Sequence, residues 1–161
     1  MARVFVGIGS NVEREKNIRA AVDVLARRYA PLALSAVYEC APVGFEGENF
    51  YNLVAGFDAA EPVEELLETL RAVENRHGRV RGGERFGPRT LDLDLLLYGD
   101  LVRHDARIEL PRPEILKYAF VLRPLAELAP QARHPETGET YRELWEKFRP
   151  RLELRPVSLA L

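Results

Sequence analysis

Along this chain the apolar residues recur either at every second residue or at about every 3.6 residues. The order in which these two spacings follow each other limits the folds that the chain can form. Alternating and β-branched segments predict strands, and apolar residues at helical spacing predict helices. The predicted strands are residues 3–8, 32–39, 50–58 and 91–98, and the predicted helices are residues 16–28, 62–77, 119–129 and 140–148. The order β-α-β-β-α-β, with helices appended, predicts an α+β protein with a ferredoxin-like core and an antiparallel-rich sheet.

Length and composition favour a single domain over residues 1–161. Hydrophobic residues make up 47% and charged residues 30% of the chain, and the net charge of −2 gives no general attraction to nucleic acid or anionic lipid. Cys40 is the only cysteine, which excludes an internal disulfide. We see no apolar run of membrane-spanning length and no signal-peptide pattern, and we therefore expect a cytoplasmic protein without a membrane partner.

Asp92 and Asp94 share one face of the fourth predicted strand. Residues i and i+2 of a strand lie about 7 Å apart on the same side, so the two carboxylates are neighbours that repel each other. A solvent-exposed strand face accounts for the pair. A divalent cation also accounts for it, because Mg²⁺ prefers hard oxygen ligands and takes its remaining ligands from water and phosphates. The same pair can hold two ions about 3.5–4 Å apart.

A basic, glycine-rich segment precedes the two aspartates. Five arginines fall within residues 76–89, namely Arg76, Arg79, Arg81, Arg85 and Arg89. The guanidinium group matches the geometry of phosphate oxygens. A solvated basic loop explains this segment taken alone. Next to an acidic pair the segment favours phosphoryl transfer, in which carboxylates hold the metal and arginines neutralise the phosphates.

Aromatic residues form a third group of candidates. Phe50, Phe86 and Phe120 are each typical of a core, but Phe50 shares its strand face with Asn52. An amide beside an aromatic ring can bond the edge of a heterocycle while the ring covers its plane. The sequence therefore raises the hypothesis of a flat, heterocyclic substrate.

Several segments together resemble the 6-hydroxymethyl-7,8-dihydropterin pyrophosphokinases of folate biosynthesis. The most specific is GPRTLDLDLLLYG at 87–99. The others, in the same order as in the family, are GSN at 9–11, YECAPVG at 38–44, FYNLVA at 50–55, GRVR at 78–81, LPRPE at 110–114 and AFVLRPLAELAP at 119–130. The resemblance covers most of the chain.

The resemblance implies a three-layer α/β/α enzyme that transfers pyrophosphate from ATP to the pterin hydroxymethyl group and releases AMP. It implies that this enzyme acts as a monomer and does not bind nucleic acid. It implies that Asp92 and Asp94 bind two Mg²⁺ ions and act in catalysis with Arg79, Arg81 and Arg89. The pterin-binding residues that it implies are Val43, Phe50, Asn52, Phe86 and Phe120. The nucleotide-binding residues that it implies are Glu74, Arg79, Arg81, Arg85, Arg107 and Arg112. The chain departs from the family pattern at Arg112, Tyr118 and Cys40, where histidine, arginine and threonine are common.

Two other functions remain open at this point. A non-catalytic module could bind RNA through the arginines and aromatic residues, although an acidic pair repels a phosphate backbone. Another magnesium-dependent phosphoryl or nucleotidyl transferase could use the same residues with a different acceptor.

Overall fold

The computed structural model describes residues 1–42, 46–77, 91–149 and 154–161. It is a mixed α/β structure with an antiparallel sheet. The strands are β1 Ala2–Ser10, β2 Ala33–Leu34, β3 Val37–Cys40, β4 Phe50–Ala59, β5 Asp92–Tyr98, β6 Arg103–His104, β7 Glu109–Leu110 and β8 Arg155–Val157. The helices are α1 Arg14–Tyr29, α2 Val63–Arg76, α3 Ala119–Leu128 and α4 Tyr141–Lys147, with a 3₁₀ helix at Pro113–Leu116.

The main sheet has the order β5-β1-β4-β3-β8, and β2 also pairs with β4. All of these pairings are antiparallel. Because β4 lies between β1 and β3, these two strands are parallel to each other, and α1 lies in the connection between them. In the same way, α2 connects β4 to β5, which are parallel and are separated by β1. Strands β6 and β7 form a separate hairpin.

Apolar residues on the two faces of the sheet bury helices on both sides. The first face carries Val4 and Ile8 of β1, which pack in one cluster with Ile18 of α1 and Leu70 of α2. The second face carries residues such as Phe5 and Val54, which pack with α3 and α4. Full burial of one such side chain stabilises the fold by about 1.5–3 kcal/mol, so both pairs of helices are fixed by tertiary packing.

The structure corrects the prediction of one continuous strand at residues 32–39. The register against β4 shifts by one residue between β2 and β3. At the break, the Ser35 hydroxyl accepts the Val54 N–H at 2.9 Å, while the Ala36 N–H donates to Glu127 at 2.8 Å instead of to a strand. A side chain thus replaces a backbone acceptor in the sheet, and the strand is divided as at a β-bulge.

Candidate active site

Asp92 and Asp94 lie side by side on the second face of β5. In the sheet register they stand opposite Gly9 and Gly7 of β1. Leu93, between them, is fully buried on the first face, in the same cluster as Leu91 and Leu95. The predicted division of this strand into an acidic and an apolar face is therefore confirmed.

Gly9 separates the acidic pair from Asn52. On its other side Gly9 pairs with Asn52 of β4, and a Cβ atom at Gly9 would stand 2.7 Å from Asn52 Oδ1. That distance is shorter than any ordinary contact, so only glycine lets the amide occupy this place. The neighbouring Gly7 is under no such restriction, because a Cβ there would meet Leu96 at 3.7 Å.

A thiol holds the amide group of Asn52. Asn52 Nδ2 donates to Cys40 Sγ at 3.1 Å across the β3–β4 pair. Burial raises the pKa of the Cys40 thiol to about 11, so the sulfur is uncharged at neutral pH. With Nδ2 bonded in this way, the amide presents its oxygen on the side of Gly9.

Two of the predicted aromatic residues pack against the same apolar cluster. Phe50 begins β4, stands opposite Cys40, and is partly buried against the second face. Phe120, in the first turn of α3, packs against the same cluster and stacks on Tyr118, with ring centroids 5.1 Å apart and planes 20° from parallel. Tyr118, at a position where the resemblance implies an arginine, is thus an aromatic partner for Phe120.

Arg112 brings positive charge to the acidic pair. One of its terminal nitrogens lies 3.5 Å from Asp94 Oδ1, its Nε pairs with Glu114, and about a third of its side chain is exposed. Its backbone N–H donates to the Leu96 carbonyl at 3.0 Å, which fixes this segment beside β5. Arg107 lies instead on the exposed turn between β6 and β7, where it pairs with Glu68 of α2 at 3.3 Å.

Glu74 lies in the interior. Its side chain is 0% exposed, and its carboxylate accepts the Leu93 N–H at 2.8 Å and contacts Arg71. These bonds hold β5 at its open edge, and they do not favour the direct contact with a nucleotide that the resemblance implies for Glu74.

Six of the predicted site residues lie outside the described residues. They are Val43, Arg79, Arg81, Arg85, Phe86 and Arg89. The described part of the site therefore consists of the acidic pair, Asn52 with its glycine and thiol neighbours, two phenylalanines and Arg112.

The donor set at the acidic pair fits magnesium. Two partly exposed carboxylates supply hard oxygen ligands, and the β1 residues opposite them, Gly9 and Gly7, carry no side chains of their own. Within the described ranges, no group of three or more His, Cys, Asp or Glu side chains is arranged to hold a metal. The described residues offer two carboxylates here, which suits an ion that takes its other ligands from water and phosphates.

Sequence reasoning missed the supporting residues of the site. The importance of Gly9 could have been inferred from its place on β1, because alternation along the strand puts it on the face opposite Val6 and Ile8. Nothing in the local sequence identified Arg71, because its role depends on how α2 docks against β5.

The comparisons with known proteins define the class first. A family model described as 7,8-dihydro-6-hydroxymethylpterin-pyrophosphokinase matches residues 5–130, well over half of the chain. The class is that of transferases of the pyrophosphokinase type. The chain belongs to the 7,8-dihydro-6-hydroxymethylpterin-pyrophosphokinase family.

Individual relatives agree with this family. A Pseudomonas aeruginosa protein named 2-amino-4-hydroxy-6-hydroxymethyldihydropteridine pyrophosphokinase is 41% identical over 138 residues, which cover 83% of this chain and 85% of the relative. An Aquifex aeolicus protein with the same name is 37% identical over 165 residues, which cover 100% of this chain and 99% of the relative.

A solved structure supports the fold alone. The crystal structure of wild-type Plasmodium falciparum HPPK-DHPS matches with a TM-score of 0.71 at 12% identity, and the match covers 91% of this chain and 44% of that longer chain. In the described part of our chain, no helix has the length and apolar character needed to cross a membrane.

Proposed function

We propose that this chain transfers the pyrophosphoryl group of ATP to the hydroxymethyl group of 6-hydroxymethyl-7,8-dihydropterin and releases AMP, as a step of folate biosynthesis. The observation that carries the proposal is an acidic pair that shares one sheet face with Asn52 and Phe50, in a chain of this family. In this reaction the hydroxymethyl oxygen attacks the β-phosphorus of ATP, the bond from that phosphorus to the bridging oxygen of the α-phosphate breaks, and the hydroxyl proton passes to solvent.

Asp92 and Asp94 are the residues that would hold magnesium, two ions in all. When bound, the metal lowers the charge on the phosphate oxygens and stabilises the charge that develops in the transition state. The chain keeps both carboxylates partly exposed on one face of β5, opposite two glycines of β1.

Asn52, Phe50 and Phe120 bind the pterin. The Asn52 amide bonds the edge of the ring, and the two phenylalanines cover its faces. The thiol of Cys40 supports this assignment, because it fixes the amide orientation without a charge of its own. We assign Val43 and Phe86 to the same pocket from the family resemblance alone.

Arginines bind and orient ATP. Arg112 supports this assignment, since it already stands 3.5 Å from Asp94 and is partly exposed. The resemblance adds Arg79, Arg81, Arg85 and Arg89, of which Arg79, Arg81 and Arg89 also act in the chemical step. Arg107 is included from the resemblance, although its present partner is Glu68.

We also propose that residues 1–161 form one ferredoxin-like domain with an α/β/α layering. Two pairs of parallel strands, each divided by an inserted antiparallel strand, support this proposal, as do the apolar clusters on both faces. The working form that we propose is a cytoplasmic monomer that acts on small molecules. The large hydrophobic residues exposed among the described ranges are Met1, Val12, Val102, Leu116 and Leu161, and a few exposed residues of this kind are usual on the surface of a monomer.

The decisive experiment is incubation with ATP, Mg²⁺ and 6-hydroxymethyl-7,8-dihydropterin, followed by chromatography of the nucleotides. We expect AMP and the pterin pyrophosphate in equal amounts. ADP as the product would show a simple phosphoryl transferase. Salt-dependent RNA binding without AMP formation would favour the nucleic-acid-binding alternative.

Replacement of either aspartate tests the metal assignment. Asp92→Asn and Asp94→Asn each remove a charged ligand, and we expect AMP release to fall by about 100-fold or more, since metal ions supply several kcal/mol of transition-state stabilisation. Circular dichroism should show an unchanged fold, because neither side chain is part of the apolar core. Near-normal rates of both variants at limiting Mg²⁺ would contradict the assignment.

A further inference from the structure

Both backbone groups of Leu93, the residue between Asp92 and Asp94, bond to side chains of α2. The Leu93 N–H donates to Glu74 Oε2 at 2.8 Å, and the Leu93 carbonyl accepts from Arg71 Nη1 at 3.1 Å. The same Arg71 nitrogen contacts Glu74 Oε1 at 2.5 Å. The three residues thus form a closed ring of polar contacts beside β5, at the residue between the two aspartates.

This ring occupies the open side of an edge strand. In the described sheet β5 has β1 on one side only. Successive residues of an antiparallel strand direct their backbone groups to alternate sides. Leu93 therefore turns its N–H and carbonyl away from β1, and the Glu74–Arg71 pair takes the place of a further strand at the one residue that joins the two aspartates.

Stability alone is a weak reason for this arrangement. The Glu74 side chain is 0% exposed and that of Arg71 is 26% exposed. A buried ion pair recovers little more than its own desolvation cost, and apolar residues of similar volume often stabilise a fold at least as well. A charged contact at two points fixes the position of the backbone to which it is bonded, and apolar packing does not.

We infer that Glu74, oriented by Arg71, is a positioning residue for the metal-binding aspartates. By fixing both backbone groups of Leu93, it sets the spacing and direction of the Asp92 and Asp94 carboxylates on the opposite face. This inference rests on the proposed function. Groups that orient metal ligands from behind typically change metal affinity or activity by about 10–100-fold when they are replaced.

The variant Glu74→Gln tests the inference by direct metal binding. Glutamine keeps the size of the side chain, but its amide has one acceptor oxygen in place of two. It therefore cannot use a separate oxygen to accept a hydrogen bond from each of Leu93 and Arg71. With α,β-methylene-ATP present, we expect the Kd of Mn²⁺, measured by electron paramagnetic resonance, to rise about tenfold. The Mg²⁺ concentration for half-maximal AMP release should rise in parallel, while the KM for the pterin stays within about twofold of wild type. Amide exchange at Leu93 should become faster.

Glu65→Gln is the matched control, because Glu65 is an exposed acid in the first turn of the same helix. We expect it to leave metal affinity and Leu93 exchange unchanged. If Glu74→Gln does not fold, Arg71→Met replaces it, since methionine keeps much of the length of the side chain but has no N–H to donate to the Leu93 carbonyl or to Glu74. A folded variant that loses protection at Leu93 and still binds Mn²⁺ as tightly as wild type overturns the inference.

Failure of the proposed function gives a different result. A wild-type protein that binds Mn²⁺ with the analogue but releases no AMP from ATP and pterin rejects the proposed reaction. The comparison of metal affinities between wild type and Glu74→Gln then still decides whether Glu74 positions the aspartates. A wild-type protein that binds no Mn²⁺ overturns both.

Discussion

Gly9 keeps open the space between the acidic pair and the Asn52 amide. It stands opposite Asp92 on one side and Asn52 on the other. A methyl group at this position would stand 2.7 Å from Asn52 Oδ1 and would force the amide to move. The absence of a side chain at Gly9 thus decides where the Asn52 amide can lie.

Gly9→Ala should therefore weaken acceptor binding. Displacing the Asn52 amide leaves a polar group of the ligand without its partner, which costs about 1–3 kcal/mol, or roughly a 10- to 100-fold rise in the Kd of the pterin. Isothermal titration with the pterin, and separately with α,β-methylene-ATP, measures this effect. Gly7→Ala is the control, because its new Cβ would make only ordinary contacts at 3.7 Å or more. Equal losses in both variants would contradict this account.

The Cys40 thiol makes the stability of the protein depend on pH in the alkaline range. Burial raises its pKa from an ordinary value of 9.0 to about 11. Between these values the unfolded chain loses a proton that the folded protein keeps, so stability is fully present below pH 9 and falls as the pH rises toward 11.

Cys40→Ser isolates this effect, since the hydroxyl can still accept from Asn52 but does not titrate in that range. Relative to this variant, the free energy of unfolding of the wild type should fall by about 2 kcal/mol between pH 9 and pH 11. Urea titrations at several pH values test this, and the comparison with Cys40→Ser removes the contribution of the tyrosines. If the free energy of unfolding depends on pH in the same way for the two proteins, burial does not raise the pKa of the Cys40 thiol.

At the scale of elements, side-chain hydrogen bonds fix the start of helix α4 and the interruption between β2 and β3. Helix α4 begins at a capping box, in which Thr140 Oγ1 accepts the Glu143 N–H at 3.1 Å and Glu143 accepts the Thr140 N–H at 3.2 Å. Its buried residues Tyr141 and Leu144 then pack in the cluster of the second face. At Ser35 a similar side-chain bond divides β2 from β3.

Thr140→Ala should lower the free energy of unfolding by about 1 kcal/mol, because an N-cap that loses its acceptor leaves a backbone donor unsatisfied. Urea denaturation measures the change. Glu146→Ala is a control in the same helix, since Glu146 forms an exposed pair with Arg142 and exposed pairs contribute little. A destabilisation by Glu146→Ala as large as that by Thr140→Ala would contradict the capping argument.

At the scale of the whole molecule, the sheet brings the acidic pair, Asn52 and Phe50 together on its second face. The first face packs against α1 and α2, and β5 contributes only apolar side chains to it. The second face combines an apolar cluster with the acidic pair, Asn52 and the two phenylalanines. Ligands that bind the second face therefore add their binding free energy to the stability of one continuous sheet.

Ligands should raise the melting temperature in a metal-dependent way. At about 100 times its Kd a ligand contributes about 2.7 kcal/mol, which corresponds to about 5–10 °C for a domain of this size. Scanning fluorimetry with α,β-methylene-ATP and Mg²⁺ should show this rise, and excess EDTA should remove most of it. In Asp94→Asn the metal-dependent part should be absent. An equal shift with and without metal would show that the acidic pair takes no part in nucleotide binding.

The sequence alone determined the features that depend on short-range periodicity. A period of two put Asp92 and Asp94 on one face of their strand and put Asn52 beside Phe50, and the alternation of periods gave the order of the main strands and helices. These features follow from backbone geometry over a few residues, so a local pattern contains them.

Only the tertiary structure decided how these pieces meet. That Gly9 faces both Asp92 and Asn52 depends on the register of three strands that are far apart in sequence. That Glu74 lies at the open edge of the acidic strand depends on how α2 docks against β5. Register and docking are set by the burial of whole apolar faces and by long-range hydrogen bonds, and no local pattern specifies them.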